Sequence, residues 1–201
     1  MTDILVLAAF FFFIILFMIG LLWVLVPAMY GLPSRPTHPN RIRKALQLAN
    51  LKPDEILYDL GSGDGRVLVI AARDFGAKAV GIEIGPAQRL VSRVAAKNSG
   101  VSDRVRVEAG DFYKSDVRTA DVVFLYATST EVAKLSSHLE SQMKPDSRVV
   151  SISADFPEWE PSPFDEDKLI FVYEMPPKPG SWTTYMLKKS DYLFIIQSRT
   201  F

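Results

Sequence analysis

Three glycines at alternate positions, Gly61, Gly63 and Gly65, stand inside Tyr58-Asp59-Leu60-Gly61-Ser62-Gly63-Asp64-Gly65-Arg66. Glycine is needed where a chain turns sharply and a ligand must come close to main-chain N–H groups. Glu55 to Leu60, ahead of the loop, reads as a short strand, and Val67 to Arg73, behind it, as a helix. Strand, glycine turn and helix together place N–H groups and a helix N-terminus at the carboxyl edge of a parallel sheet. Two acids extend the pattern. Ala79 to Glu83 reads as a second strand, and its terminal carboxylate can accept hydrogen bonds from both hydroxyls of a ribose. Val105 to Glu108 reads as a third strand, followed by Ala109-Gly110-Asp111-Phe112. A glycine triplet alone can be a tight structural turn, and a lone acid can be a solvated loop residue. The three features at the ends of three successive strands point together to a nucleoside ligand.

Glycine spacing narrows the ligand. A dinucleotide fingerprint has its third glycine three residues after the second, where this chain has Arg66. A nicotinamide-dependent reductase is therefore disfavoured. The loop resembles the G-x-G-x-G motif of class I S-adenosylmethionine-dependent methyltransferases, whose first strand often ends in Asp-Leu-Gly. That resemblance implies S-adenosylmethionine as cofactor. Gly61, Gly63 and Gly65 would shape the methionine pocket, and Asp59 would partner its amino group. Glu83 would hold the ribose, Asp111 would face the adenine amino group, and Phe112 would pack near the base.

The 201 residues carry zero formal net charge, two His and no Cys. That length holds one domain and an appendage. Zero net charge supplies no general basic field, so no nucleic-acid partner is expected. The absence of Cys excludes disulfides, Cys-ligated zinc and a thiol nucleophile, and no metal site is expected. Nothing in the sequence sets an oligomeric state.

From Ile4 to Val26 no residue is charged, a run of 23 positions. As a helix it rises about 35 Å, against about 30 Å of bilayer hydrocarbon. Phe10 to Phe17 is apolar on every side, as lipid-facing surface requires. Trp23 and Tyr30 fall where an aromatic belt would sit. A cleaved signal peptide fits less well, because Asp3 precedes the run without Lys or Arg and no A-x-A site follows. Arg35, Arg41, Arg43 and Lys44 flank its C-terminal side, so the expectation is a single-pass membrane protein contacting the bilayer through Ile4–Val26. The following domain is expected on the cytoplasmic or topologically equivalent side.

Residues 1–30 are thus read as anchor, 31–40 as a proline-punctuated linker and 41–201 as the folded domain. Ten linker residues span at most about 35 Å, which holds the domain close to the bilayer. Ile42, Ala45, Leu46 and Ala49 recur at helical spacing, with Thr37 or Asn40 as candidate N-cap. Pro86 to Asn98 reads as a helix with Leu90, Val91, Val94 and Ala95 inward. Asp121 to Tyr126 reads as a central strand. Thr130 to Met143 is the next helix, and Arg148 to Ser153 the fifth strand. Leu169 to Tyr173 and Thr183 to Leu187 read as a closing strand pair, and Tyr192 to Ile196 as a further edge strand. Strands alternating with helices predict a parallel α/β sheet.

The methyl acceptor is less legible. Tyr126-Ala127-Thr128-Ser129 follows the fourth strand in place of an Asn-Pro-Pro-Tyr type step, which would indicate an amide or adenine nitrogen. Tyr126 can line an acceptor channel or sit in the core. Asp155, Phe156, Glu158 and Trp159 can wall an amine acceptor with aromatic faces and carboxylates, or pack as a lid on the sheet edge. No residue reads as the general base.

A closer resemblance rests on Asp59 to Arg66, Gly81-Ile82-Glu83-Ile84-Gly85-Pro86, Gly110-Asp111-Phe112-Tyr113 and Phe156-Pro157-Glu158-Trp159, behind an anchor and a Pro-Thr linker. The chain is similar to the membrane-anchored lysine methyltransferases that modify the ATP synthase c-subunit or the adenine nucleotide carrier, and to their prokaryotic relatives. This implies a Rossmann-like class I fold with a mostly parallel seven-stranded sheet, helices on both faces and one N-terminal transmembrane helix. It implies lysine on a membrane protein as substrate. Arg35-Pro36-Thr37 resembles the family's Val-Pro-Thr step, so Thr37 is expected near the cofactor. The alternatives are a lipid or isoprenoid methyltransferase, and a catalytically silent S-adenosylmethionine-binding scaffold.

Overall fold

The computed structural model describes residues 2–29 and 37–189. The Trp23 side chain, Tyr30, linker residues 31–36 and the run Tyr192–Ile196 lie outside the described residues.

Helix α1 (Thr2–Met29) is continuous. Within it Ile4–Leu22 has a mean hydropathy of 3.1 and no buried residue. Its length and composition are sufficient to cross a membrane.

The remaining elements alternate as the apolar periodicities demand. They are α2 (Pro39–Leu48), β1 (Ile56–Leu60), α3 (Arg66–Phe75), β2 (Lys78–Glu83), α4 (Pro86–Asn98), β3 (Val105–Ala109), β4 (Val122–Tyr126), α5 (Ser129–Gln142), β5 (Arg148–Ile152), β6 (Phe164–Asp165) and β7 (Ile170–Glu174). The seven strands form one sheet in the order β3-β2-β1-β4-β5-β7-β6. Strands β1 to β5 run parallel, and β7 is antiparallel to β5 and β6. Chain order leaves β1 in opposite directions toward β2 and β4, which creates a switch point where a crevice opens at the carboxyl ends.

Strand β4 shows why the sheet lies at the centre. Val122, Val123, Phe124 and Leu125 are at most 1% exposed. Val122 and Phe124 join a core with Ile42 and Leu46 of α2 and Leu68 of α3. Val123 and Leu125 join the opposite core with Val132, Leu135 and Leu139 of α5. Two-sided burial requires a strand without polar alternation. Each large apolar side chain so buried contributes about 1.5–3 kcal/mol.

Helix boundaries have local causes. His38 caps α2, its Nδ1 accepting from Asn40 N–H at 3.3 Å, with Pro39 in the first turn. This replaces Thr37 and Asn40 as expected caps. Thr128 and Glu131 form a reciprocal capping box on α5, the arrangement that satisfies two free N–H groups at once.

Two further expectations are corrected. Leu90, Val91 and Val94 are 62%, 43% and 47% exposed, and Ser92 and Ala96 face inward instead. Small residues allow α4 to approach the glycine loop and β3 closely, and that packing sets which face points in. Residues 182–189 are helical, so the strand expected at Thr183–Leu187 does not form. The partner of β7 on that side is the two-residue β6, placed by the pairing of Phe164 with Phe171.

Candidate active site

Strand register assembles the site. Leu60 pairs with Ile82, and Glu83 pairs with Ala109, so Gly61, Glu83 and Asp111 meet at the carboxyl ends of β1, β2 and β3. Gly61 and Ser62 donate N–H bonds to the Ile82 carbonyl at 2.9 and 3.1 Å. Gly61, Gly63 and Gly65 all have positive φ, the left-handed region that side chains disfavour. At Gly65 a Cβ would also stand 2.1 Å from Ser92 Oγ.

Glu83 organises this loop. It is 8% exposed. Its Oε2 accepts from Gly63 N–H at 2.9 Å and its Oε1 from Gly85 N–H at 2.8 Å. The acid expected to meet a ribose therefore also ties the glycine loop to the start of α4.

Between these strand ends lies a cleft of about 300 Å³, counting its open mouth, lined by Gly61, Ile82, Glu83, Gly110, Asp111 and Phe112 among others. Asp111 accepts from Tyr113 N–H at 3.0 Å and starts the 3-10 turn Phe112–Lys114. The Phe112 and Tyr113 ring centroids lie 4.4 Å apart. Ile84 and Tyr113 also line the cleft; both stand in the motifs that carry the resemblance, but neither was assigned a site role from the sequence. Adjacency to Glu83 and Asp111 was the available signal for both.

Asp59 is 4% exposed. Burial, then repulsion from Glu83 and Asp64, lifts its carboxyl well above the usual carboxylate range. No donor among the described residues is bonded to it. A buried carboxylate without a counter-charge is costly, and a ligand ammonium would supply that charge. The buried Ser62 hydroxyl, three residues on, also lacks a partner among the described residues. A recess for a nucleoside and a buried site for an ammonium group fit S-adenosylmethionine, which carries both.

Arg66, the residue that breaks the dinucleotide pattern, has its own work. Its Nε lies 3.0 Å from both Asp64 carboxylate oxygens, and its Nη1 donates to the Thr37 carbonyl at 3.1 Å. Burial opposes the Asp64 charge, but the bonds from Arg66 outweigh it and hold the carboxyl below its ordinary range. Thr37 is thereby fixed against the glycine loop.

The four acceptor candidates divide. Tyr126 is half-buried at the end of β4, and Asp155 is half-buried in the loop after β5. Phe156 and Trp159 are 0% and 2% exposed. Their rings stack at 4.0 Å, with Tyr173 edge-on at 5.3 and 5.5 Å. Trp159 Nε1 donates to Glu140 at 2.6 Å, and Phe156 N–H donates to the Tyr173 hydroxyl at 3.0 Å. These are core aromatics, which matches the packed-lid alternative that the sequence left open beside the acceptor wall. The groove beside Trp159 and Glu158, about 1170 Å³ counting the open solvent over it, includes Pro176 and Pro177. These prolines follow β7, whose last residue pairs with Arg148 at the amino end of β5. The groove thus opens at the end of the sheet away from the glycine loop.

A solved structure of an RNA methyltransferase from Salinibacter ruber with S-adenosyl-L-homocysteine is 36% identical, with a TM-score of 0.69, covering 73% of this chain and 97% of that one. A methyltransferase from Geobacter sulfurreducens, also with S-adenosyl-L-homocysteine, is 25% identical with a TM-score of 0.54, covering 67% and 55%. Sheet order, glycine loop and these likenesses define a class I S-adenosylmethionine-dependent methyltransferase. Within that class the chain belongs to the ANTKMT methyltransferase domain family, whose model matches residues 59–163. A protein-lysine N-methyltransferase from Saccharolobus islandicus is 35% identical over 130 residues, 64% of this chain and 81% of the relative. The human lysine N-methyltransferase of the ATP synthase c-subunit is 29% identical over 130 residues, 65% and 55%. The mouse adenine nucleotide translocase lysine N-methyltransferase is 29% identical over 137 residues, 68% and 59%. The chain spans little more than half of these two mammalian enzymes.

Proposed function

We propose that this methyltransferase acts on the side-chain amine of a lysine in a membrane-associated protein, from a domain held at the bilayer by α1. The observation that carries the lysine reading is the family match itself. It spans the residues that build the cleft, and relatives matching this region are lysine N-methyltransferases. The apolar run Ile4–Leu22 supports the tether, and the basic residues after it support a cytoplasm-facing domain.

In this reading S-adenosylmethionine supplies a methyl group on a positively charged sulfur. The glycine loop and Asp59 hold the methionine end, Glu83 the ribose, and Asp111 with Phe112 the adenine. Thr37, fixed by Arg66, closes one side. The acceptor ammonium, with an ordinary pKa of about 10.4, must reach the site as the neutral amine, which partial removal from water favours.

A second reading, RNA as acceptor, is favoured by the Salinibacter ruber likeness. Zero net charge weighs against it, because affinity for nucleic acid rests largely on neutralising phosphates.

The test uses the full chain in detergent micelles. Calorimetry with S-adenosylmethionine should show binding, and NADH should show none. Radiolabelled S-adenosylmethionine is then offered with membranes, and separately with RNA, from cells lacking the gene. Label recovered as N-methyl-lysine supports the proposal. Label in RNA would replace it with the second reading, and cofactor binding without transfer to either would point to a silent scaffold.

A further inference from the structure

Arg41, in the first turn of α2, is held in an unusual way. Its Nε donates to the Lys168 carbonyl at 2.7 Å, and its Nη2 to Ser153 Oγ at 2.9 Å and to the Leu169 carbonyl at 3.4 Å. Its guanidinium carbon stands 6.0 Å from the centroid of the Tyr126 ring. Other arginines, such as Arg43, Arg66 and Arg118, pair with carboxylates. Here a cation sits among three neutral oxygens and an aromatic face. We propose that Tyr126, Ser153 and the carbonyls of Lys168 and Leu169 form the subsite for the acceptor's ammonium group, and that Arg41 fills it in the resting enzyme. The proposal rests on the reading that the acceptor is an amine.

Position supports it. Leu125 pairs with Leu60, so Tyr126 and Gly61 are the next residues on neighbouring strands, and Gly61 lines the cofactor cleft. Arg41 lies four residues after Thr37, which Arg66 fixes to the glycine loop. The rim residues Ser153, Lys168 and Leu169 are exposed, so an incoming side chain can reach the cage.

Chemistry supports it as well. A carboxylate beside an ammonium would stabilise its charged form and hinder release of the proton. Neutral carbonyls, a hydroxyl and a ring face also favour the cation, but less than a full negative charge does, so the proton is released more readily. The cage is also strained. Ser153 has φ 72° and Leu169 φ 47°, left-handed conformations that are uncommon for a bulky residue such as Leu. Ser153 N–H donates to the Leu169 carbonyl at 2.9 Å. Such strain persists where surrounding structure enforces it, most often around binding sites.

The test uses the full chain in detergent micelles and n-butylammonium, a lysine side chain without its backbone, as the probe. Binding is measured by calorimetry or ligand-observed NMR. Arg41→Ala should vacate the cage and tighten probe binding about tenfold over wild type. Adding Tyr126→Leu should return it to the wild-type level, and adding Ser153→Ala should remove part of the gain. Arg41→Gln, which keeps a donor for the carbonyls but no charge, should also bind the probe more tightly, and it serves if the alanine variant is unstable. S-adenosylmethionine affinity is measured on every variant and should stay at the wild-type value, so failure of the cofactor reading shows separately. No gain in folded Arg41 variants, or a gain that survives Tyr126→Leu, would overturn the subsite and leave Arg41 as a structural clamp.

Discussion

Gly65→Ala and Gly63→Ala separate backbone strain from steric exclusion in the loop that shapes the cofactor site. Gly65 has φ +79°, and an added Cβ would stand 2.1 Å from Ser92 Oγ, 2.8 Å from its Cβ and 2.9 Å from its Cα. Gly63 has φ +53°, and the nearest atom to its added Cβ is the Gly61 carbonyl oxygen at 4.0 Å. Both substitutions carry a left-handed penalty of about 1–2 kcal/mol. Only Gly65→Ala adds overpacking, about 1–3 kcal/mol more. A domain of this size loses about 2–4 °C in Tm per kcal/mol. Gly63→Ala should therefore lower Tm by a few degrees, and Gly65→Ala by roughly two to three times as much. Ser92→Gly removes the two side-chain contacts but leaves Cα in place, so it should rescue Gly65→Ala only in part. Its own helix cost of about 1 kcal/mol is taken from the single variant in a double-mutant cycle. The assay is thermal melting of the full chain in a Trp23→Phe, Trp182→Phe background, followed by fluorescence of the buried Trp159 so that α1 does not contribute. Equal destabilisation by the two alanines, or a cycle with no coupling to Ser92, would refute the steric part of this reasoning.

Asp59→Asn should raise the stability of the ligand-free protein at neutral pH and weaken S-adenosylmethionine binding. The folded-state pKa of Asp59 is raised, so its contribution to stability is present at low pH and lost as pH rises through that value. For the same reason wild-type affinity for the cofactor should fall as pH drops toward the raised pKa. An asparagine variant that binds as wild type does would remove Asp59 from the site. Glu83→Gln keeps one oxygen for Gly63 or Gly85 but loses the charge. Calorimetry should show binding about 10- to 100-fold weaker, as for loss of a hydrogen bond to a charged group worth about 1.5–3 kcal/mol, and unchanged affinity would count against the ribose role. Trp159→Ala should cost about 3–5 kcal/mol in denaturant titrations without changing cofactor affinity, whereas an intact Tm would contradict its burial. Leu90→Ser and Val94→Ser should each shift stability by no more than about 0.5 kcal/mol. A larger loss in melting experiments would mean that this face of α4 is covered.

The cleft at the ends of β1, β2 and β3 was legible because its signals are local. Glycines at alternate positions, an acid at the end of β2 and Gly110-Asp111 after β3 each follow from what a turn or strand end needs. What the sequence did not show is that Glu83 also holds Gly63 and Gly85. Removing it will loosen the loop as well as weaken binding, beyond the simple loss of a ligand contact expected of an exposed loop acid. The acceptor end was poorly legible. Phe156 and Trp159 have the composition of an aromatic wall, yet Tyr173, which turns them into core, comes from a strand that pairs back antiparallel. Arg41 counted only as one of several basic flanking charges.

The sequence by itself determined the order of strands and helices from α2 to β5, the parallel α/β class, the apolar N-terminal helix and the residues at the ends of β1, β2 and β3. These depend on periodicity, turn chemistry and glycine freedom, which act over a few residues. Only the tertiary structure decided that α4 buries Ser92 and Ala96 rather than Leu90, Val91 and Val94, and that residues 182–189 are helical. It alone showed Arg41 brought onto Tyr126, Ser153 and the carbonyls of Lys168 and Leu169. The apolar content of a segment sets how much surface it gains by burial. Which face of α4 is covered depends on the glycine loop and β3, and what Arg41 meets depends on residues up to 128 positions away, whose approach is set by register and packing.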